Sequence, residues 1–418
     1  MSILDLTTLL IFLAAVFTLI NITVLKLPAT IGLMAIALMM SVSILILGVI
    51  FPSVTEAAST VVDEFDFQEV LLNVMLNFLL FAGALSVDLN KLLEEKIPIL
   101  ILSLLGTFIS TVAVGVLIFY VFPLLGVQLS FVYCLLFGAL ISPTDPIAVL
   151  ALIKKYNLSK NLEIKIAGES LFNDGVGVVF FLTVLGIAKK GMDSFDIGEV
   201  AFLFGTEVIG GLLMGAVFGY LGFKLLNYID NDHVELEVLV TLTMVMVGGR
   251  IAELLHISAP LAMVIMGLFI GNEGRDEALA NATGKYVFKF WHLLDEALNA
   301  ILFILIGLEI IVIIHVFTGK MLIASVAAIV IVLFARFLGV IIPIGMMKPF
   351  RKFEPKTVEI LTWGGLRGGL SIACALSLSE LSFIEPFAKE LILFITYAIV
   401  VFSILVQGLT VPLLLKKG

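Results

Sequence analysis

Long apolar runs alternate with short polar punctuation along the whole chain. Runs bounded by charges, prolines or glycine clusters define thirteen candidate helices, at approximately 4–25, 28–51, 70–87, 97–121, 131–154, 164–188, 200–229, 234–256, 259–272, 289–316, 320–346, 357–379 and 389–414. Most of them approach or exceed the roughly 20 apolar residues that a helix needs to cross a bilayer. The ninth is short, and its separation from the eighth rests on His256–Pro260, so the count stands to within one. Membrane strands would alternate apolar and polar residues, and these runs do not, which disfavours a barrel. The first run has no basic leader and no small-residue cleavage site, so it reads as a retained span. The predicted fold class is an all-α polytopic membrane protein.

Composition supports the pattern and narrows the function. Of 418 residues, 61% are hydrophobic and 14% charged, against about 45–50% and 25% in an ordinary soluble domain. With a mean hydropathy of +1.21 the chain belongs in a bilayer, and its short connections leave no room for a separate enzymatic module. A net charge of −9 argues against nucleic acid as a partner. Cys134 and Cys374 both lie within apolar runs and imply no disulfide framework. His233, His256, His292 and His315 are scattered without metal-ligand spacing.

Lysine and arginine placement sets the orientation. Seventeen of these residues fall in the alternate connections that begin with the one holding Lys26. Only Lys189, Lys190, Arg250, Lys320 and Lys389 fall on the opposite side, and Arg336 and Arg367 lie within spans. The richer side is expected to be cytoplasmic, which puts the N-terminus outside and the C-terminus inside a cell membrane. The connection 52–69, with five acids and no base, fits the outer side. On this reading the Lys154-Lys155 and Arg351-Lys352 pairs are topology signals. Asn157-Leu158-Ser159, a glycosylation acceptor by pattern, falls on the cytoplasmic side and is discounted.

Two spans carry breaks. The fifth holds Ser142-Pro143-Thr144-Asp145-Pro146, whose prolines remove backbone donors and free carbonyls at membrane depth. The twelfth holds Trp363-Gly364-Gly365-Leu366-Arg367-Gly368-Gly369. Five and twelve differ by seven, an odd number. Six spans, a linking seventh and six more therefore form two inverted repeats, each with its fifth helix discontinuous. That arrangement points to a secondary transporter with its site between the broken helices.

The sixth span carries Glu169, Ser170, Asn173 and Asp174. At about 100° per residue, Ser170 and Asp174 share one helical stripe, and Glu169 and Asn173 share the next. A hydroxyl and a carboxylate on one stripe suit a hard cation, whereas nothing here suits a soft metal. Glu169 needs a basic partner at equal depth; Arg336 is the first candidate and Arg367 the second, unless Arg367 offsets carbonyl ends at the second break. Asp174 has no evident cationic partner, so a proton or a bound cation must neutralise it. Competition between those two at one carboxylate is the physical basis of exchange. Glu207, Asp295, Glu296 and Glu309 are expected to snorkel or pair locally near helix ends or on polar faces. Gly211, Gly215 and Gly219 repeat every fourth residue, a signature of close helix packing.

The segments GALISPTDP (138–146), ESLFNDG (169–175), ARFLGV (335–340) and GLRG (365–368), in this order, together resemble the NhaP/NHE branch of monovalent cation:proton antiporters. The likeness runs over nearly the whole chain. It implies the NhaA-like antiporter fold and a homodimer. Residues of about 1–88 and 234–316 would form a fixed scaffold, 97–190 and 320–415 a moving core, and 200–229 the linking helix. By the same resemblance Asp174 is the ion-binding, proton-exchanging carboxylate, and Ser170 and the Thr144 carbonyl complete a shell for Na⁺, with Asp145 close by. Glu169 would pair with Arg336, and Asn173 would support the site. The Asn173-Asp174 pair resembles the electroneutral branch, whose electrogenic relatives carry two adjacent acids there. Since the sequence stops three residues after Leu415, the tail-mediated regulation of animal exchangers is not expected. The expected activity is exchange of Na⁺, with Li⁺ as a further substrate, for H⁺, one for one and without a cofactor. A K⁺/H⁺ antiporter is the nearest alternative within the class, and a cation channel the next. An intramembrane hydrolase finds no HExxH or GxSxG motif.

Overall fold

The computed structural model describes residues 3–63, 69–155, 159–191, 196–228, 233–273, 282–314, 318–379 and 381–415. Asn157, Leu158, Arg275, His315, Lys416, Lys417 and the side chains of Lys154 and Lys155 lie outside the described residues.

Thirteen apolar helical segments follow one another in the order the hydropathy pattern sets. They are α1 (Leu4–Leu25), α2 (Ala29–Ile50), α3 (Val70–Ser86) and α4 (Lys96–Leu125), the broken α5 (Phe131–Ile141 as α5a, Ile147–Lys155 as α5b), α6 (Lys160–Lys190), α7 (Ile197–Tyr228), α8 (Val234–Leu254) and α9 (Ala259–Glu273). After these come α10 (Ala282–Leu308) and α11 (Gly319–Met347), the broken α12 (Thr357–Trp363 as α12a, Gly369–Ser377 as α12b) and α13 (Pro386–Leu414). Eight of the helices are long and apolar enough to cross a membrane by length and composition. The others are shorter, interrupted or more charged. Among the described residues the only β-type pairing is an isolated antiparallel bridge between Asp145 and Leu366. Large apolar side chains on outward faces, such as Ile209, Leu213 and Val217 of α7, are more than half exposed, as expected where hydrocarbon is the solvent.

Local chemistry explains where the sequence reading and the structure differ at element ends. α6 begins four residues earlier than its apolar run because the Ser159 hydroxyl caps it, accepting the Leu162 N–H at 3.2 Å. The eighth and ninth helices are separate: His256 takes a left-handed conformation (φ 52°) after α8, and the Ser258 hydroxyl caps α9 through the Leu261 N–H. The acidic connection after α2 is not all loop, since Pro52–Asp63 is helical, with proline at the start where its missing N–H costs nothing.

Packing positions the site. α9 lies between α3 and α7, α2 packs on α10, and α4 and α5a pack on each other, with α11 against α4 and α13. The glycine stripe of α7 is a packing seam, as its spacing predicts: a Cβ on Gly211 would stand 2.6 Å from the Ser258 carbonyl oxygen, one on Gly215 3.0 Å from the Ala262 Cα, and one on Gly219 3.2 Å from the Met266 Cα. At one end of the bundle Glu95 takes Arg351 at 2.8 Å and Lys165 at 3.5 Å, and the Arg351 guanidinium also donates to the Glu94 carbonyl. Arg351 therefore fastens the α11–α12 connection to the starts of α4 and α6, a structural job beyond a topology signal. The Ser159 hydroxyl adds a second tie by donating to the Glu354 carboxylate at 2.6 Å.

The α7–α9 seam has a measurable consequence. Gly215→Leu should lower thermal stability in detergent by about 1–3 kcal/mol through overpacking. Gly205→Leu on the same helix, where an added Cβ meets nothing within 4 Å, should be close to neutral.

Candidate functional site

The two helix breaks cross each other. α5a ends at Ile141, Ser142–Pro146 is non-helical chain between the two halves, and α5b starts at Ile147 with the Asp145 carboxylate accepting the Ile147 N–H at 2.9 Å. At the crossing the Asp145 N–H donates to the Leu366 carbonyl at 2.8 Å. Two glycines of the second break are required by close approaches, one to the first break and one to Arg336 of α11. A Cβ on Gly368 would stand 2.7 Å from the Asp145 Cβ, and one on Gly365 2.6 Å from the Arg336 Nε.

A helix ending inside the membrane leaves carbonyls without partners. The Arg367 guanidinium supplies them: it donates to the carbonyls of Ser142 and, at 3.0 Å, Pro143. Arg367 thus does offset carbonyl ends, but those of the first break and not of its own. The second break is held from α13. The Arg367 N–H donates to the Ser403 hydroxyl at 2.9 Å, that hydroxyl donates to Gln407, and the Gln407 amide donates to the Trp363 carbonyl at 3.0 Å. Ser403 and Gln407 occupy one widened (π) turn of α13, a local irregularity of the kind that often accompanies functional sites.

Against this frame α6 presents its polar stripes. Glu169 and Arg336 form a buried bidentate pair, with Nη1 to Oε1 at 2.8 Å and Nη2 to Oε2 at 3.1 Å. Arg336 was one of two candidate partners, and the structure resolves the choice; its Nε also donates to the Leu361 carbonyl at 3.2 Å. Asn173 is held on three sides. Its amide nitrogen donates to Glu169 Oε1 and Thr144 Oγ1, both at 3.2 Å, and its oxygen accepts the Thr107 hydroxyl at 2.7 Å. The Ser170 hydroxyl donates to the Thr144 carbonyl.

Asp174 differs from all of these. It is partly accessible while Glu169, Ser170 and Asn173 are buried, and it makes no hydrogen bond or ion pair with the described residues. Ser170 lies one turn away on the same stripe, so the Asp174 carboxylate, the Ser170 hydroxyl and the Thr144 carbonyl are the oxygen groups that could hold a hard monovalent cation. Glu169 cannot serve equally, since Arg336 and Asn173 already occupy it.

The other charged positions divide. Asp295 takes the Asn299 amide at 3.1 Å and Glu296 faces His292 at 3.7 Å, local pairings as expected. Glu309 does not snorkel: it is buried (3% exposed) at the end of α10. Glu207, ten residues into α7, is partly buried and lines a cavity. The sequence reading did not single out Thr107, Ser403 and Gln407, because isolated small polar residues in apolar runs carry no signal until a partner is known.

Comparison with known proteins places these features in a family. The family described as sodium/hydrogen exchanger, transmembrane, matches residues 10–417. The chain is similar to the Na(+)/H(+) antiporter NhaP of Pseudomonas aeruginosa, at 45% identity over 99% of this chain and 96% of that one. It is also similar to the Na(+)/H(+) antiporter NhaH of Halobacillus aidingensis, at 31% identity over 94% and 92%. Among solved structures, the sodium proton antiporter MjNhaP1 from Methanocaldococcus jannaschii superposes with a TM-score of 0.76 over 98% of this chain and 97% of that one, at 19% identity. That likeness supports the fold.

Removing one member of the buried pair should be costly. Arg336→Met leaves the Glu169 charge without its partner and should lose about 3–5 kcal/mol of stability. The double variant Glu169→Gln/Arg336→Met should recover much of that loss, read by thermal unfolding in detergent.

Proposed function

The chain belongs to the sodium/hydrogen exchanger family, and from that premise we propose that it exchanges Na⁺, and also Li⁺, for H⁺ across a cell membrane. Asp174 is the group that alternates between the two. The observation that carries this reading is an intramembrane carboxylate without a partner among the described residues, beside crossed helix breaks. Every other charged side chain at the crossing has partners: Glu169 has Arg336, Arg367 has two carbonyls, and Asp145 caps a helix. A bare carboxylate at this depth is neutralised by whichever cation is present, and Na⁺ and H⁺ compete for it. The Ser170 hydroxyl and the Thr144 carbonyl are the supporting ligands. The Ser170 hydroxyl donates to the Thr144 carbonyl, which holds both oxygens side by side.

One exchanging carboxylate per site gives a one-for-one, electroneutral cycle. Asn173, beside Asp174, supplies no second acid and is already engaged on both ends of its amide. We assign the moving core to α4–α6 and α11–α13, the scaffold and homodimer contact to α1–α3 and α8–α10, and the link to α7. The side rich in lysine and arginine is cytoplasmic, with the N-terminus outside.

Asp174→Asn, nearly isosteric, should abolish cation-dependent proton flux in proteoliposomes while leaving thermal stability within about 1 kcal/mol of the parent, as for a substitution that breaks no hydrogen bond. Retained antiport would overturn the assignment. Proton flux driven by Na⁺ and Li⁺, but not by K⁺, should proceed at the same rate with the membrane potential clamped at different values. Flux driven by K⁺ alone would identify the other cation, and voltage dependence would refute the one-for-one cycle.

A further inference from the structure

A cavity of about 470 Å³ opens at the end of the bundle that carries the α8–α9 turn. Its walls come from α3, α6, α7, α8, α9 and α12b. From α6 it takes Val178, Phe181 and Leu182, and from α12b Cys374. Val178 follows Asp174 by four residues on the same helical face, about 6 Å further along the axis. The cavity therefore approaches the candidate cation site to within one helical turn, and Asp174 is itself partly accessible.

The charged groups lining this cavity are Glu207, Arg250, Glu253 and the His256 imidazole. Arg250 and Glu253 form an ion pair at 2.5 Å, so their charges offset each other. Among the described residues Glu207 has no such partner. One of its carboxylate oxygens is buried and accepts no hydrogen bond. Only its backbone carbonyl is engaged, by the Ser258 N–H at 3.2 Å. It sits about 15 Å along α7 from Ile197, level with the α8–α9 turn that closes one side of the cavity. Packing does not require it either, because this face of α7 meets α9 through Gly211 and Gly215.

We propose that Glu207 is the carboxylate that draws monovalent cations into this vestibule and delivers them toward Asp174, a role that rests on the exchange activity proposed above. A single uncompensated negative charge in a cleft with low-dielectric walls raises the local cation concentration and disfavours anions. Glu207 acts through the field and is a specificity-determining residue for entry; Asp174 remains the site of exchange.

The test reads the vestibule without needing transport. In a Cys134→Ser/Cys374→Ser background, Val178→Cys places one thiol near the cavity floor. Its modification by a cationic methanethiosulfonate is compared with that by an anionic one, each relative to a free thiol in solution. The normalised cation-over-anion ratio should exceed one and fall about threefold or more on Glu207→Gln. Glu207→Asp, which keeps the charge, should retain it. In proteoliposomes Glu207→Gln should raise the KM for Na⁺ on the vestibule side by a similar factor and leave the maximal rate unchanged. A ratio that Glu207→Gln does not move, or a thiol that neither reagent reaches, overturns the proposal. If the thiol behaves as expected and the parent protein shows no antiport, the exchange reading fails and the cation-selective vestibule stands.

Discussion

No water is available inside a bilayer to satisfy backbone groups, and this constraint organises the structure around its two broken helices. Each break frees carbonyls and N–H groups that would cost several kcal/mol apiece in hydrocarbon. The solution is mutual. The first break donates its Asp145 N–H to the Leu366 carbonyl of the second, and the second sends the Arg367 guanidinium back to the Ser142 and Pro143 carbonyls of the first. Neither interruption is tenable alone. Gly368 follows from that dependence, because a Cβ there would collide with the Asp145 side chain, whereas Gly365 makes room for the Arg336 guanidinium.

Charge at the crossing obeys the same constraint. Arg367 is positive among carbonyls, Glu169 and Arg336 cancel as a bidentate pair, and Asn173 orients Glu169 while being held by Thr107. These groups form a preorganised polar frame whose members have no spare capacity for an ion. Asp174 stands outside that frame. The chemistry rests on the contrast between a fully bonded surround and one unbonded carboxylate, more than on the number of acids present.

Much of this was legible in the sequence. Thirteen helical segments, the matched breaks and the depth of Glu169, Asp174, Arg336 and Arg367 all follow from hydropathy, proline chemistry and a 3.6-residue period. The identity of partners was less accessible. Arg336 and Arg367 are equally deep by sequence, and only the register of α11 against α6 separates them. Arg367 reads from sequence as a second partner for Glu169 or an offset to carbonyls of its own break, but a helix crossing delivers it to carbonyls of the other one. Thr107, Ser403 and Gln407 carry no pattern, since a single hydroxyl or amide in an apolar run acquires meaning only from what faces it. Glu309 does lie at a helix end, but buried, and Glu207 lines a cavity; a hydropathy profile has no means of seeing burial or a cavity wall.

The bridge between Asp145 and Leu366 also bears on mechanics. A backbone hydrogen bond in hydrocarbon has no solvent competitor, so pulling the two interruptions apart would expose both its ends at once. The crossing therefore resists opening as a hinge, and α5 and α12 travel together. On the exchange reading proposed above, an ion held between α6 and this unit would keep its Thr144 ligand in fixed geometry, and access would change through the surroundings of that unit. Selectivity set by the ligand shell would then be the same whichever face of the membrane the ion enters from.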